Sequence, residues 1–333
     1  MVPGVFERGE TGRIMPGGRD FRHRGPHGGD RGHNGDMLNL LPIMLVPALL
    51  AEPLEAPTPV DPPAETAAKD GTALVKSTVL PERDAIVAGG EFRVAVCFRI
   101  EPGWHIYWRN SGDSGMPPSF RVVGPEGFAV TRVDWPVPEV FTTPDETTFG
   151  YSGDPAVVLT LKAPVGIPVS TRIDLRIESE WLVCKESCLM GRRMMGLRVP
   201  VVAPGDGRAQ GPASRDFATI LKRLPLDSGA IGLAAAIEGN DLRVTVPAAD
   251  GSRIRLLPFE TRGVRFRPGP TFEAVAKDGK AEIRATLKIE PDPSAEGPRT
   301  LGGLVTVTDP TGSAKSAEFT LPVPEPAYTP ASR

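Results

Sequence analysis

The stretch Trp181-Leu182-Val183-Cys184-Lys185-Glu186-Ser187-Cys188 constrains the fold more than any other, because it ends an alternating segment in two cysteines separated by a three-residue tip. Upstream, Arg176 and Glu178 alternate with Leu175, Ile177 and Ser179, and Trp181 and Val183 extend the pattern. That is the two-residue period of a half-buried strand. Downstream, Met194 to Val202 reads as a second strand, which makes Lys185-Glu186-Ser187 the tip of a tight hairpin. Opposed residues of an antiparallel pair lie about 4.5–5.5 Å apart at Cα, and a disulfide spans roughly 4.4–6.8 Å. The spacing therefore permits a Cys184–Cys188 bond with little backbone movement. A bridge over so short a loop removes little unfolded-state entropy. It is a poor staple and reads better as a redox pair.

The chain of 333 residues suggests about two domains. A net charge of −3 with no long basic run in the folding part excludes nucleic-acid binding. Thirty-seven glycines and 37 prolines favour many turns and an all-β body. Three cysteines leave one unpaired if two bond.

Residues 1–36 are rich in Gly, Arg and His and lack apolar periodicity, so they read as a disordered extension. His23, His27 and His33 give this tract a metal-binding composition, and a non-native extension upstream of Met37 is the plainer reading. Leu38 to Leu50 is an apolar run of signal-peptide length, so 37–51 is expected to direct export to an oxidising compartment. A retained N-terminal anchor is the second reading. Residues 52–72 read as a Pro/Ala/Glu linker.

The first domain is expected over 73–203. Ala73–Leu80, Glu91–Ile100, Ser119–Val123, Val130–Trp135 and Ala156–Ala163 read as strands between Pro and Gly punctuation. In Glu91–Ile100, Phe92, Val94, Val96 and Phe98 form the apolar stripe, and Cys97 falls on the opposite face as a bystander thiol. An aromatic strand, Gly103 to Trp108, runs into a Gly/Asp/Ser turn ending at Gly115. All four tryptophans (Trp104, Trp108, Trp135, Trp181) lie in this domain, where each taken singly reads as core filling.

Residues 204–213 read as a linker. Ser214 is a candidate N-cap for a short helix with Phe217, Ile220, Leu221 and Leu224 at helical spacing, ended by Pro225. Leu242–Val246, Arg253–Leu257, Ala281–Ile289 and Leu304–Thr308 are strands of a second β-sandwich-like domain over 214–325, with a tail at 326–333. That domain has almost no catalytic inventory. No dinucleotide, phosphate-loop, zinc-protease or nucleophile-elbow motif occurs with usable context, and no cofactor is expected.

Four segments recur together in one order: Trp104-His105-Ile106-Tyr107-Trp108-Arg109-Asn110-Ser111-Gly112-Asp113-Ser114-Gly115, Trp135-Pro136-Val137-Pro138, Phe149-Gly150-Tyr151 and Trp181 to Cys188. The set resembles the N-terminal periplasmic domain of the thiol–disulfide interchange protein DsbD, and is most similar to the ScsB-like branch linked to copper tolerance. The resemblance covers roughly 73–203. It implies an immunoglobulin-like sandwich whose cysteine pair takes electrons from a membrane thiol reductase domain. It passes them to periplasmic thioredoxin-like or disulfide-containing proteins, as in cytochrome c biogenesis. The chain would be a component of a protein-disulfide reductase and a monomer.

The resemblance also places a cap loop at Asp145-Glu146-Thr147-Thr148-Phe149-Gly150-Tyr151, with Phe149 over the sulfurs and Asp145, Glu146 and Tyr151 beside them. Trp104, His105, Trp108, Asp113, Trp181 and Lys185 support the pair. By analogy Cys188 is the nucleophile. Lys185 favours a thiolate and Glu186 opposes it. Two departures stand out: the DsbD pair is more widely spaced, and nothing after residue 51 reads as a membrane span, so the donor is expected on a separate polypeptide. Two alternatives stay open. Cys184, Cys188, Met190, Met194 and Met195, with His105, offer soft ligands suited to Cu(I). The pair could otherwise be a structural disulfide in a binding module.

Overall fold

The computed structural model describes residues 57–60, 71–210, 214–267, 271–292 and 297–324. The extension at 1–36, the run at 37–51 and the tail at 326–333 lie outside the described residues.

Among the described residues, twelve strands build the first sandwich: β1 (Thr58–Val60), β2 (Val75–Pro81), β3 (Ile86–Val87), β4 (Glu91–Ile100), β5 (His105–Gly112), β6 (Ser119–Val123), β7 (Ala129–Asp134), β8 (Glu139–Thr142), β9 (Thr147–Tyr151), β10 (Ala156–Lys162), β11 (Arg172–Cys184) and β12 (Cys188–Val202). One sheet runs β1-β12-β11-β5-β9-β8, with β3 beside β12 and β6 beside β11; the facing sheet runs β2-β4-β10-β7. Alternation decides which side chains meet between them. From β4 these are Phe92, Val94, Val96 and Phe98; from β11, Leu175, Ile177, Trp181 and Val183; from β12, Met195, Leu197 and Val199. The result is an immunoglobulin-like β-sandwich.

The expected linker at 52–72 is not wholly irregular. Thr58–Val60 pairs antiparallel with β12 at Gly196–Arg198, and Gly71–Leu74 forms a 3-10 turn leading into β2. Gly71 is buried, and a Cβ there would lie 2.6 Å from Val183 and 2.8 Å from the Leu189 carbonyl, so this approach requires glycine.

A short helix, Gly207–Gln210 (α1), precedes α2 (Arg215–Leu221). Ser214 caps α2 as its sequence position indicates: its hydroxyl accepts from the Phe217 N–H. The sequence groups this helix with the second domain, whereas its side chains pack on the first sandwich. Phe217 is buried with Ala95 of β4 and Val158 of β10, and Cys97, Leu80, Ile220, Leu221 and Leu224 surround them. Every residue of β10 from Ala156 to Leu161 is therefore buried, because one face meets the core and the other meets α2. The Ser214 N–H also donates to the Glu82 carbonyl and the Arg223 guanidinium to the Asp154 carbonyl.

Among the described residues, nine strands form the second sandwich: β13 (Leu226–Asp227), β14 (Ala234–Glu238), β15 (Asp241–Pro247), β16 (Arg253–Pro258), β17 (Val264–Arg267), β18 (Phe272–Val275), β19 (Lys280–Ile289), β20 (Thr300–Thr308) and β21 (Ala314–Pro322). The sheets run β13-β21-β20-β16-β18 and β14-β15-β19-β17 around Leu242, Val244, Ile254, Leu256, Ile283, Leu287 and Val305. The described residues all belong to one compact unit. Leu257, Phe259 and Leu304 of the second sandwich join the core cluster of the first. Among the described residues no helix is long and apolar enough to cross a membrane.

Candidate functional site

The site is the end of the β11–β12 hairpin. The two strands pair without a break from Arg172↔Pro200 to Cys184↔Cys188, which sets the cysteines directly opposite each other. They form a disulfide with Cα atoms 4.2 Å apart. The tip is closed by the Lys185 N–H donating to the Ser187 carbonyl. Along β11 the side chains of Trp181 and Val183 enter the core, so Cys184, one residue further on, turns to the outer face. The two sulfurs differ in access: Cys184 is 3% exposed and Cys188 lies open to solvent.

β5 supplies the neighbouring wall. His105 is opposed to Cys184 and Ile106 to Val183. Alternation then sends Ile106 and Trp108 into the core and leaves His105 and Tyr107 on the side of the sulfurs. The Tyr107 hydroxyl lies 4.0 Å from Cys188 Sγ. A disulfide sulfur carries no proton, so the hydroxyl is the donor. The His105 ring stands edge-on to Tyr107 at 5.2 Å and stacks on Phe141 of β8 at 4.6 Å. Phe141 is opposed to Thr148, and Tyr107 to Gly150. A Cβ at Gly150 would fall 2.1 Å from the Ile106 carbonyl oxygen, so the close approach of β9 to β5 requires glycine. On the far side of Tyr107, Gly115 has φ +99° and a Cβ there would fall 2.2 Å from the ring. The tyrosine is thus wedged between a glycine backbone and the sulfur.

Burial lowers the His105 pKa, and the charges of Glu139 and Glu146 oppose that shift. Burial raises the Tyr107 pKa, with Glu146 adding to it. Both rings are therefore neutral at neutral pH, and the sulfurs face a weakly polar aromatic surface.

The predicted supporting residues divide by strand face. His105 is at the pair. Trp108 and Trp181 are fully buried core residues, and Trp104 packs at the core margin. Trp181 meets Phe98 edge-on at 5.8 Å. Asp113 acts at one remove: its carboxylate accepts from the Thr147 N–H at 2.8 Å and its own N–H donates to the Thr147 carbonyl, which ties the turn after β5 to β9. The Lys185 stem lies over Gly103.

The expected cap loop is a turn and a strand. Asp145 and Glu146 are exposed in the turn where the Thr143 hydroxyl accepts from the Glu146 N–H. Phe149 does not lie over the sulfurs. It is fully buried, opposed to Val140, and meets Trp108 on the core face of the sheet. Tyr151 is also buried, with its hydroxyl donating to the Pro136 carbonyl at 2.8 Å. The reason is register: Gly150 faces Tyr107, so residues one step either side must face inward. Tyr107 is the aromatic beside the sulfur, and Phe141 stands behind it against His105. The alternation of Trp104 to Asn110 could have shown Tyr107 beside His105; no local signal marks Phe141.

Of the soft ligands named for Cu(I), His105 stands opposite Cys184, while Met194 and Met195 lie away from the pair. Met190 is exposed two residues beyond Cys188, opposite Leu182. Met194 stands opposite Glu178, six residues from Cys188 on the same strand and so about 20 Å away. Met195 points into the core. Among the described residues no group of three or more His, Cys, Asp or Glu side chains is arranged to hold a metal ion.

Cys97 is apart from the site, beneath α2. Burial and the Asp216 charge raise its pKa to about 11, and it is free.

No curated protein matches the chain. Among solved structures, it is similar to the N-terminal periplasmic domain of ScsB from Proteus mirabilis, at 17% identity over 74% of this chain and 91% of that one, with a TM-score of 0.48. It is more distantly similar to the YadV chaperone, at 10% identity over 74% of this chain and all of that one, with a TM-score of 0.23. Residues 76–196 match the family model described as thiol:disulfide interchange protein DsbD, N-terminal. That segment begins in β2, ends in β12 and contains the whole hairpin with its disulfide, β5 and β9. The first sandwich is accordingly a DsbD N-terminal-like domain carrying a Cys184–Cys188 disulfide.

Proposed function

We propose that the chain is a periplasmic thiol–disulfide relay module that moves electrons two at a time through Cys184 and Cys188. The observation that carries this is the unequal access of the two sulfurs at a hairpin tip, with Cys188 open and Cys184 buried behind it. A donor dithiol, by this reading that of a membrane thiol reductase, attacks Cys188 Sγ as a thiolate and expels Cys184 as a thiolate. The donor's second thiolate then displaces Cys188, leaving an oxidised donor and the reduced pair, with two electrons and two protons transferred. In the second half-cycle the Cys188 thiolate attacks the disulfide of a thioredoxin-like or other disulfide-containing protein, and Cys184 resolves the mixed disulfide. The Tyr107 hydroxyl, 4.0 Å from Cys188 Sγ, is placed to donate to that sulfur as it becomes a thiolate.

The relay reading is tested by the reduction potential together with a trapping pair. Exchange-active disulfides sit above about −300 mV and structural ones below it. A potential above that mark, with Cys184→Ser accumulating mixed disulfides and Cys188→Ser not, is the expected result. A potential below it, with neither variant trapping a partner, would show a structural disulfide instead.

A further inference from the structure

The outer face of the β11–β12 hairpin changes character one step from the disulfide. Alternation places Cys184, Leu182 and Glu180 on that face of β11, with Cys188, Met190 and Arg192 opposite them on β12. The disulfide is thus followed by the apolar pair Leu182↔Met190, and that pair by the charged pair Glu180↔Arg192. Met190 is 47% exposed and Leu182 is half-buried. A second bare apolar side chain, Met116, is 40% exposed and follows Gly115, whose backbone lies against the Tyr107 ring. Exposed apolar side chains therefore stand beside Cys188 along its strand and beside the tyrosine that faces its sulfur.

A mixed disulfide on Cys188 sets the partner's cysteine about 4.4–6.8 Å away at Cα. Met190 is two residues along β12, about 7 Å from Cys188 at Cα. Past the cysteines the chain turns back at Lys185–Ser187, and Cys184 is buried, so the platform flanking Cys188 on the sheet is Leu182 and Met190. We propose that these two side chains dock the exchange partner, and that the partner is a protein with an apolar residue next to its exchanging cysteine. The proposal deepens the relay reading and rests on it. An apolar centre rimmed by Glu180 and Arg192 has the anatomy of a protein interface. The unbranched thioether of Met190 moulds itself to partners of different shape. Met190 is accordingly a specificity-determining residue with no part in the sulfur chemistry.

The test uses the whole reduced chain and two synthetic peptides, each closed by one disulfide. Leucines flank the cysteines of one peptide and serines those of the other. Each turnover oxidises the Cys184/Cys188 thiols to their disulfide and reduces the peptide disulfide to two thiols, which mass measurement follows. Covering a half-exposed methionine favours the leucine peptide by about tenfold in rate. Met190→Gln, similar in size and uncharged, should bring the two rates close to parity, and Met190→Leu should keep the preference. Reduction of the oxidised pair by dithiothreitol should be equally fast in all three forms. Equal rates for the two peptides with the unaltered chain, or a preference that survives Met190→Gln, would overturn the proposal and leave the relay standing. So would a dithiothreitol rate that falls in Met190→Gln, since Met190 would then act on the sulfurs themselves. A preference that fades as the chain is concentrated would make a second copy the occupant and overturn it too. Reduction of neither peptide would sink the relay reading and this proposal with it.

Discussion

Phe149 and Trp108 meet edge to face, with ring centroids 6.2 Å apart, on the side of the sheet that points away from the disulfide. Both are fully buried. Phe149→Ala therefore opens a cavity and is expected to cost about 3–5 kcal/mol of stability. Chemical denaturation of the oxidised protein measures it. Tyr107→Ala should instead change the alkylation rate of reduced Cys188, whose sulfur its hydroxyl faces at 4.0 Å. The reverse pattern, a site-selective effect of Phe149→Ala only, would restore Phe149 as the lid.

Cys184 and Cys188 should be recovered as one reversible disulfide, with Cys97 as a free thiol. Mass mapping after alkylation, with and without prior reduction, checks this. A Cys97-containing bridge in purified protein would contradict the burial of that thiol under α2.

His105 should titrate below 6.5, since burial lowers its pKa and the two carboxylates only partly offset this. A histidine whose folded pKa is depressed stabilises the fold above its unfolded pKa, and that contribution falls away as pH drops through the folded value. The midpoint, read from the ring proton shifts, should move further down in Glu139→Gln and Glu146→Gln. A midpoint above 6.5 would mean that the carboxylates outweigh desolvation.

Cys97, with a pKa near 11, is about one part in a thousand thiolate at pH 8 and should label slowly in the folded protein. Its folded pKa lies above its ordinary value of 9.0, so its contribution to stability is complete below pH 9 and is lost as pH rises towards 11. Phe217→Ala should release α2 and accelerate Cys97 labelling, leaving Cys188 labelling as before. If both rise together, the helix also supports the hairpin. By the same logic a fragment of 73–203 leaves the Ala95–Val158 face bare, and one extended to Leu224 should melt higher.

What the sequence shows well is whatever has a short period. Glu91–Ile100 and Ser119–Val123 are strands at the bounds their alternation marks, the Ser214 cap is where its side chain places it, and the opposed cysteines follow from hairpin spacing. Thr147–Tyr151 was less legible, because Asp145 and Glu146 read as loop residues and a five-residue strand has little room for a pattern. The face of Phe149 depends on Gly150 standing opposite Tyr107, which is a register between strands more than 40 positions apart. The contact of Arg109 with Phe259 is longer in range still, and neither residue carries a local sign of it.

The ladder of β11 and β12 has a consequence for what the pair can deliver. Reducing the sulfur–sulfur bond breaks none of the backbone pairing from Arg172↔Pro200 to Cys184↔Cys188, so the two thiols stay face to face. Each then sees the other at a high effective concentration, as any two groups held on one rigid frame do. A mixed disulfide on Cys188 is consequently short-lived, because its resolving partner is already in place. On the proposed relay, a monothiol that opens the oxidised pair at Cys188 would be expelled again by Cys184, whereas a dithiol would complete the transfer with its second thiol. The hairpin would thereby favour two-thiol donors over single thiols.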